Sequence, residues 1–511
     1  MPWGWQTMKI FTIGDSLSQG FMSAAAARTD MSFSTLIAEQ LGLVPGTDYQ
    51  VAHWPYGGLP VNIERVLRRL NKVYGSDISG VEWLFALHTI NSVMDKAEDY
   101  YEDGEGSEDS RYRAPSKFSV REPAFFHNVA VWGFDIADSW SLTPALCYEM
   151  IEQAEDVWIE DGFLTGPNAS MYRTALQVLN PARMPEFNDF SQLRWLRHHT
   201  ETEGIENLIL WLGPNNVLGT VVRLNLNQTP GTADPRPADL THLERAAHDW
   251  NIWHPNDYAY EFERLLEQVV DAMANNNSTA WRAFVPNVPH VTIPPIIKGL
   301  GPTFQRNGRT YFNRYTYFPF GNNFASRTRQ FLSGSDAVFI DETIDTYNIE
   351  SQRIIADVNK TLNNGDADNG PFYIVDLNTV LSEIAHKRNN GNPTYQFPEF
   401  FDGLQPPLTT HYYNVNRDGD FIHGGLFSLD GVHPSIIGQG IIAYEIMKVM
   451  KRAGVAVNPD GLDWEKIYKR DSLLQRPIAL MDELYEHERL ATIAVKAAGL
   501  VGMSAPTRFD L

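Results

Sequence analysis

A serine follows the first strand-like segment of this 511-residue chain. Residues 8–13 are mostly apolar and lead directly into Gly14-Asp15-Ser16-Leu17. The glycine allows a sharp turn, and the serine then lies at the carboxyl edge of a sheet, where open α/β sheets bind their ligands. Ser16 is therefore a candidate nucleophile. The alternative is that Asp15 or Ser16 only caps the helix that follows.

An aspartate and a histidine stand three residues apart near the carboxyl end, as Asp430 and His433 within the segment SLDGVHPS of residues 428–435. A hydroxyl nucleophile needs a base, and the base needs a group that fixes its tautomer. An aspartate at this spacing can turn back to accept from the histidine Nδ1–H, which leaves Nε2 facing a serine. The alternative is a surface turn, because Asp-Gly is a common turn pair.

A candidate oxyanion donor follows another strand-like segment. Residues 208–212 are apolar and precede the segment GPNN of residues 213–216, which contains Asn215. A side-chain amide at a strand end can donate to a developing oxyanion, as backbone N–H groups do. A Pro-Asn turn is the alternative interpretation.

Together these segments resemble the SGNH hydrolases, often called the GDSL esterase/lipase family, which carry four motif blocks in a fixed order. Ser16 matches the nucleophile of the first block and Asn215 the oxyanion asparagine of the third. Asp430 and His433 match the acid and base of the last block. The resemblance implies a catalytic triad of Ser16, His433 and Asp430, and an oxyanion hole that uses the Ser16 N–H together with Asn215.

The second block of that family supplies a glycine N–H to the oxyanion hole, and two glycines are candidates. Gly133 ends the segment NVAVWG, and Gly58 lies in YGGL at residues 56–59. Gly133 is preferred because the residues before it match better, whereas Gly58 also suits a loop or a close backbone approach. The third block departs from the family pattern, which usually ends Asn-Asp, because Asn216 stands where the carboxylate is expected.

Short apolar segments and helical patterns alternate along the chain. Strands are predicted at residues 9–13, 125–131, 208–212, 281–285 and 372–375. Helices are predicted at residues 34–41, 61–74, 144–159, 258–273, 436–450, 464–474 and 477–498. This alternation predicts an α/β protein with a parallel sheet and helices on both faces. The resemblance implies a flavodoxin-like three-layer α/β/α fold with a mostly five-stranded parallel sheet.

The distances between the motifs are long. We expect a hydrolase domain at residues 1–455 with large insertions at about 60–122 and 217–420, and a helical C-terminal extension at residues 456–511. An acidic loop is expected at residues 95–115. Residues 303–333 and 389–413 are rich in Asn, Gly and aromatic side chains, and we expect ordered insertions over the carboxyl edge of the sheet. Their aromatic residues are expected to pack a satellite core more often than to contact a substrate.

Composition excludes several classes of protein. With 41 Lys and Arg against 63 Asp and Glu, the formal net charge is -22, which disfavours a nucleic acid partner. Cys147 is the single cysteine, so neither an intrachain disulfide nor a Cys-based zinc site is expected. Its apolar helical surroundings indicate a core residue. The sequence shows neither a signal peptide pattern nor an apolar segment of about 18 residues, and a cytoplasmic protein is expected.

The expected activity is that of a serine ester hydrolase that uses no metal or organic cofactor. Its substrate would be a small-molecule, lipid or acylated-sugar ester. One alternative keeps the same triad in an acyltransferase to an alcohol or sugar. The other is a catalytically silent carbohydrate- or lipid-binding protein, against which the intact set of Ser16, Asn215, Asp430 and His433 argues.

Overall fold

The structure, a computed structural model, describes residues 7–78, 82–102, 123–155, 169–367 and 369–482. Its strands are β1 (Phe11–Gly14), β2 (Phe21–Met22), β3 (Ala25–Ala26), β4 (Asn207–Trp211), β5 (Arg282–Pro286), β6 (Ile297–Arg306), β7 (Arg309–Tyr317), β8 (Leu332–Ser333), β9 (Phe372–Val375), β10 (Asn414–Val415) and β11 (Phe421–His423). Its helices are α1 (Ser16–Gln19), α2 (Phe33–Gln40), α3 (Ile63–Tyr74), α4 (Glu82–Glu102), α5 (Asp138–Ser141), α6 (Pro144–Glu155), α7 (Ser170–Leu179), α8 (Gln192–Glu201), α9 (Asn215–Arg223), α10 (His242–Ala247), α11 (Pro255–Met273), α12 (Asn322–Thr328), α13 (Gly334–Leu362), α14 (Leu377–Ile384), α15 (Ile436–Arg452), α16 (Trp464–Arg470) and α17 (Ser472–Gln475).

Four parallel strands form the central sheet, in the order β1-β4-β5-β9. Every residue of β1 and β4 is buried, as expected for parallel strands that helices cover on both faces. Side chains alternate between two apolar cores along β4: Leu208 and Leu210 belong to one, Ile209 and Trp211 to the other. The predicted mixed α/β architecture with a parallel sheet is therefore confirmed.

The predicted fifth strand is not part of the ladder as a regular strand. Residues 127–131 do run beside β1: the Thr12 N–H donates to the His127 carbonyl at 2.9 Å, and the Val129 N–H donates to the Thr12 carbonyl at 3.0 Å. Other backbone groups of this segment bond to side chains instead of to a strand. The Asn128 amide oxygen accepts from the Ala130 N–H, and Gln192 Nε2 donates to the Val129 carbonyl. The sheet accordingly has four strands rather than five.

The two cores bury different helices. The core with Leu208 and Leu210 also contains apolar residues of α3, α8, α11 and α13, whereas the core with Ile209 and Trp211 contains those of α2, α14, α15 and α16. Cys147 is fully buried in the first core. None of the described helices is long and apolar enough to cross a membrane.

Two regions between the motifs are more regular than their composition indicates. The expected acidic loop at residues 95–115 is wrong in its first part, since α4 continues to Glu102 and includes the good helix formers Lys96, Ala97 and Glu98. Residues 103–115 lie outside the described ranges. Residues 297–333 form a three-stranded antiparallel sheet of β6, β7 and β8. Of the predicted terminal helices, residues 464–474 correspond to α16 and α17, whereas residues 483–498 lie outside the description, as do residues 156–159 after α6.

Candidate active site

Ser16 lies where β1 ends and α1 begins. Asp15 caps α1, because its Oδ1 accepts from the Leu17 N–H at 2.9 Å. The cap and the nucleophile are thus compatible, since capping uses Asp15 and leaves the Ser16 hydroxyl available. Only glycine fits at position 14, where a Cβ would lie 2.3 Å from Ser18 Oγ and 2.9 Å from the Trp211 carbonyl oxygen. The tight packing of this turn fixes the position of the serine.

The structure brings Ser16 together with His433 and Asp430 across more than four hundred residues. His433 Nε2 lies 2.9 Å from Ser16 Oγ, and His433 Nδ1 lies 3.1 Å from Asp430 Oδ2. All three residues are at most 3% exposed. The two distances are those expected of a nucleophile and base and of a base and the group that orients it.

Asp430 is held as a carboxylate by four N–H donors. Its Oδ1 accepts from the backbone N–H groups of Val432 and His433, both at 2.8 Å, and its Oδ2 accepts from the Ala24 N–H at 2.9 Å as well as from His433 Nδ1. Burial alone would raise the pKa of Asp430, but His433 and these hydrogen bonds outweigh it and lower that pKa below its usual value. The carboxylate therefore assigns the proton to Nδ1 and leaves the Nε2 lone pair facing Ser16.

Asp15 differs from Asp430 in its environment. Asp15 is fully buried, and its Oδ2 has no hydrogen-bond partner among the described residues. Burial raises the pKa of Asp15 to about 7, although the Leu17 N–H and nearby His433 oppose the change. Two buried carboxyl groups close to one histidine thus have pKa values shifted in opposite directions, because only Asp430 has hydrogen-bond donors on both of its oxygens.

Asn215 contacts the residue that follows Gly133. Asn215 is the first residue of α9, and its Nδ2 donates to the Phe134 carbonyl at 2.9 Å. An amide nitrogen carries two hydrogens, so one remains for a second acceptor. Gly133 has a φ of +82°, and Val131, two residues earlier, donates its N–H to the Gly14 carbonyl. Gly133 accordingly lies between contacts to the serine turn and to Asn215.

The two candidate glycines differ in what their N–H groups do. The Gly58 N–H donates to the Pro55 carbonyl at 3.1 Å, and a Cβ at Gly58 would lie 1.7 Å from the Ala26 carbonyl oxygen. At Gly58 the backbone therefore passes too close to the Ala26 carbonyl for any side chain to fit. By contrast, the N–H groups of Gly133 and Ser16 donate no hydrogen bond to any residue within the described ranges. As far as the described part of the chain goes, those two groups can therefore donate to a bound acceptor.

A cavity of about 120 Å³ opens beside Ser16 and His433. Its lining is almost wholly apolar and comes from the loop at residues 289–294, from α14 and from α15. The polar His290 in this wall is satisfied, because its Nε2 lies 2.9 Å from Asp345 Oδ1. Much of the wall therefore belongs to the expected insertion at residues 217–420. Of the two aromatic-rich segments expected over this edge of the sheet, residues 303–333 contribute nothing to the wall and residues 389–413 contribute only Thr410.

Sequence reasoning missed one buried group beside the oxyanion residues. Glu261 of α11 is fully buried and accepts from Asn216 Nδ2 at 3.0 Å and from the Ala137 N–H at 2.8 Å. Burial raises its pKa well above the usual value, while Arg245 opposes this. A carboxylate 45 residues from Asn216 leaves no motif of fixed spacing; the only signal was the absent aspartate at position 216.

The described residues contain no group of three or more His, Cys, Asp or Glu side chains arranged to hold a metal ion. Comparison with protein-family models, with curated proteins and with solved structures finds no match to this chain. What the site can do therefore follows from its own geometry.

Proposed function

We propose that this protein is a serine ester hydrolase that works through an acyl-enzyme on Ser16. The observation that carries the proposal is the buried chain of hydrogen bonds from Ser16 Oγ through His433 to Asp430, with distances of 2.9 and 3.1 Å. A structural role for this arrangement would not need a serine hydroxyl that lines an open pocket. Ser16 and His433 both line the pocket.

The proposed reaction has two balanced halves. Ser16 Oγ attacks the acyl carbonyl while His433 Nε2 takes the hydroxyl proton, and the tetrahedral intermediate then expels the alcohol, which receives that proton from His433. In the second half, water gives a proton to His433 and attacks the acyl-serine; the tetrahedral intermediate then releases the carboxylic acid, and His433 returns the proton to Ser16 Oγ. Asp430 keeps its negative charge throughout and stabilises the imidazolium in each half.

The oxyanion would be bound by the N–H groups of Ser16 and Gly133 and by Nδ2 of Asn215. In support, the two backbone N–H groups have no acceptor among the described residues, and the amide has a second hydrogen to donate. Each such donor typically contributes about 3 kcal/mol of transition-state stabilisation. The bonded N–H of Gly58 argues for Gly133 as the glycine of this hole.

We also propose membership of the SGNH hydrolases and, with it, the flavodoxin-like fold. Three observations support this. The four blocks occur in the family's order. Residues 127–131 bond to the backbone of β1 without forming a regular strand. Ser16 and Asn215 follow the carboxyl ends of the neighbouring parallel strands β1 and β4. The carboxylate missing at position 216 is the departure from the family pattern.

The pocket favours an aliphatic acyl group over an acetyl group or a sugar. Its walls beside Ser16 are formed by Leu381 and Ile384 of α14 and by Ile441 of α15, which offer few hydrogen-bonding groups to a sugar hydroxyl. Binding an acyl chain there gains about 0.8 kcal/mol for each methylene that is buried. Short- to medium-chain alkyl esters are therefore the proposed substrate class.

The direct test compares hydrolysis of p-nitrophenyl butyrate by the wild-type chain, by Ser16→Ala and by Ser326→Ala, whose serine is exposed on α12. Ser16→Ala should remove turnover and Ser326→Ala should leave it unchanged. Adding an excess of a primary alcohol separates hydrolysis from acyl transfer by the ratio of acid to new ester. Turnover retained in Ser16→Ala would refute the proposed nucleophile.

A further inference from the structure

The loop that follows Gly133 is fastened to two helices by buried polar groups. The Ile136 N–H donates to Asn216 Oδ1 at 3.3 Å, at the start of α9. The Ala137 N–H donates to Glu261 Oε1 at 2.8 Å, on α11. Asn216 Nδ2 joins the two helices by donating to Glu261 Oε2 at 3.0 Å. The result is a closed set of three hydrogen bonds beneath the loop.

These three hydrogen bonds join residues that adjoin the proposed oxyanion donors. Asn216 is the neighbour of Asn215, whose own amide is bonded to Phe134, the residue after Gly133. Asn216 and Glu261 are both completely buried, so water cannot replace any hydrogen bond that is lost. A shift of the loop at Ile136 or Ala137 would therefore move Gly133 and Asn215 relative to Ser16.

We propose that Glu261 is a positioning residue for the oxyanion hole, and that with Asn216 it replaces the carboxylate absent from the third motif block. This inference rests on the proposed hydrolase function. It places the accepting carboxyl group on a different helix while the hydrogen bonds stay at the same point of the loop. Glu261 itself touches neither the substrate nor the reacting atoms.

The hydrogen bonds of Glu261 require two accepting oxygens at position 261. Both of its oxygens accept, one from Ala137 and one from Asn216. A glutamine has one acceptor oxygen and one donor NH₂, so Glu261→Gln places a donor against a donor at one of these contacts. Three other charged side chains lie near Glu261. Asp135 and Asp138 raise the pKa of Glu261, and Arg245 lowers it.

Exchanging the amide of position 216 with the carboxyl group of position 261 restores all three hydrogen bonds. In the double variant Asn216→Asp with Glu261→Gln, the new aspartate accepts from Ile136 and from the glutamine NH₂, while the glutamine oxygen accepts from Ala137. The carboxylate then stands at position 216, where the resembled family has it. Asn216→Asp alone sets two buried carboxyl groups side by side, and we expect it to be impaired at about pH 8.

The experiment is a double-mutant cycle on the full chain, with kcat and KM for p-nitrophenyl butyrate, the rate of Ser16 labelling by a fluorophosphonate, and the melting temperature of each variant. Glu261→Gln should lower kcat and the labelling rate about tenfold with KM changed by less than about twofold, because misplaced donors act on the transition state. The double variant should recover kcat to within about threefold of wild type. Glu267→Gln, an exposed change on the same helix, should have no effect.

Two results would overturn the inference: wild-type kcat and labelling in Glu261→Gln, or a double variant no more active than Glu261→Gln. If Glu261→Gln does not fold, the double variant still decides, since it retains the full set of hydrogen bonds. A wild-type chain that is not labelled at Ser16 would overturn the proposed hydrolase function together with this inference. Labelling of wild type with no response to the exchange would overturn only the role of Glu261.

Discussion

The apolar pocket predicts a steep dependence of kcat/KM on acyl chain length. Four methylenes separate an acetyl from a hexanoyl ester, and at about 0.8 kcal/mol for each buried methylene they contribute about 3 kcal/mol. This free energy corresponds to about 200-fold in kcat/KM. The increase should be nearly uniform, about fourfold for each methylene, until the chain reaches the mouth of the pocket.

Filling the pocket should remove this dependence. Leu381 lines the pocket from α14, and Leu381→Trp places a larger side chain in the space that the acyl chain would occupy. We expect the hexanoate-to-acetate ratio to fall at least tenfold, with acetate turnover within about threefold of wild type. Ile349→Trp is the matched control, because Ile349 is 63% exposed on α13.

The assay is a series of p-nitrophenyl esters from acetate to decanoate, measured below KM for each variant. A wild-type profile that is flat or favours acetate would refute the assignment of the pocket to an acyl chain. An unchanged chain-length profile in Leu381→Trp would show that the acyl group lies elsewhere, even if the wild type prefers long chains.

Three further changes test other parts of the site. Asn215→Ala should lower kcat on the order of a hundredfold with little change in KM, since its amide acts mostly in the transition state; steady-state kinetics would contradict this if kcat were unchanged. Asp430→Asn should lower kcat on the order of a thousandfold or more, because an amide cannot accept from all four N–H donors and stabilise His433 in its charged form; circular dichroism should show an intact fold, and near-normal turnover would exclude Asp430 as the orienting group. Asp15→Asn should stabilise the fold more at about pH 8 than at about pH 5. The pKa of Asp15 is about 7 in the folded chain against a reference value of 3.8, so between these pH values the native state binds more protons than the unfolded state. The free energy of unfolding of the wild type therefore falls as pH rises through this range, by at most about 4 kcal/mol. Urea unfolding at both pH values measures this difference, and an equal effect at the two values would contradict it.

The parts of the site that the sequence predicts are those set by local geometry. A glycine and serine after an apolar strand, or an aspartate three residues before a histidine, have their relation fixed within one turn of the chain. Parallel strands end at a common edge of the sheet, and this allowed Ser16 and Asn215 to be expected together. The pairing of Ser16 with His433 was predicted from chemistry, and its 2.9 Å distance agrees with that prediction.

The parts that sequence reasoning missed depend on contacts between distant residues. Glu261 bonds to Ala137 from 124 residues away, and no spacing rule connects them. The 29-residue helix α13 was also missed, although its capping box of Ser333 and Asp336 was a readable signal. The strand predicted at residues 125–131 is irregular, and this was missed because the contacts of the Asn128 and Gln192 side chains with its backbone cannot be located from periodicity.

The most direct test of the central claim is covalent labelling of the full chain with a fluorophosphonate, followed by peptide mapping. An activated serine attacks this reagent at a useful rate, whereas an ordinary hydroxyl does not. We predict one adduct, on the peptide that carries Ser16, which is absent in Ser16→Ala and strongly slowed in a His433→Ala variant. No adduct on the folded wild-type chain, or an adduct on another serine that persists in Ser16→Ala, would contradict the assignment of Ser16 as the nucleophile.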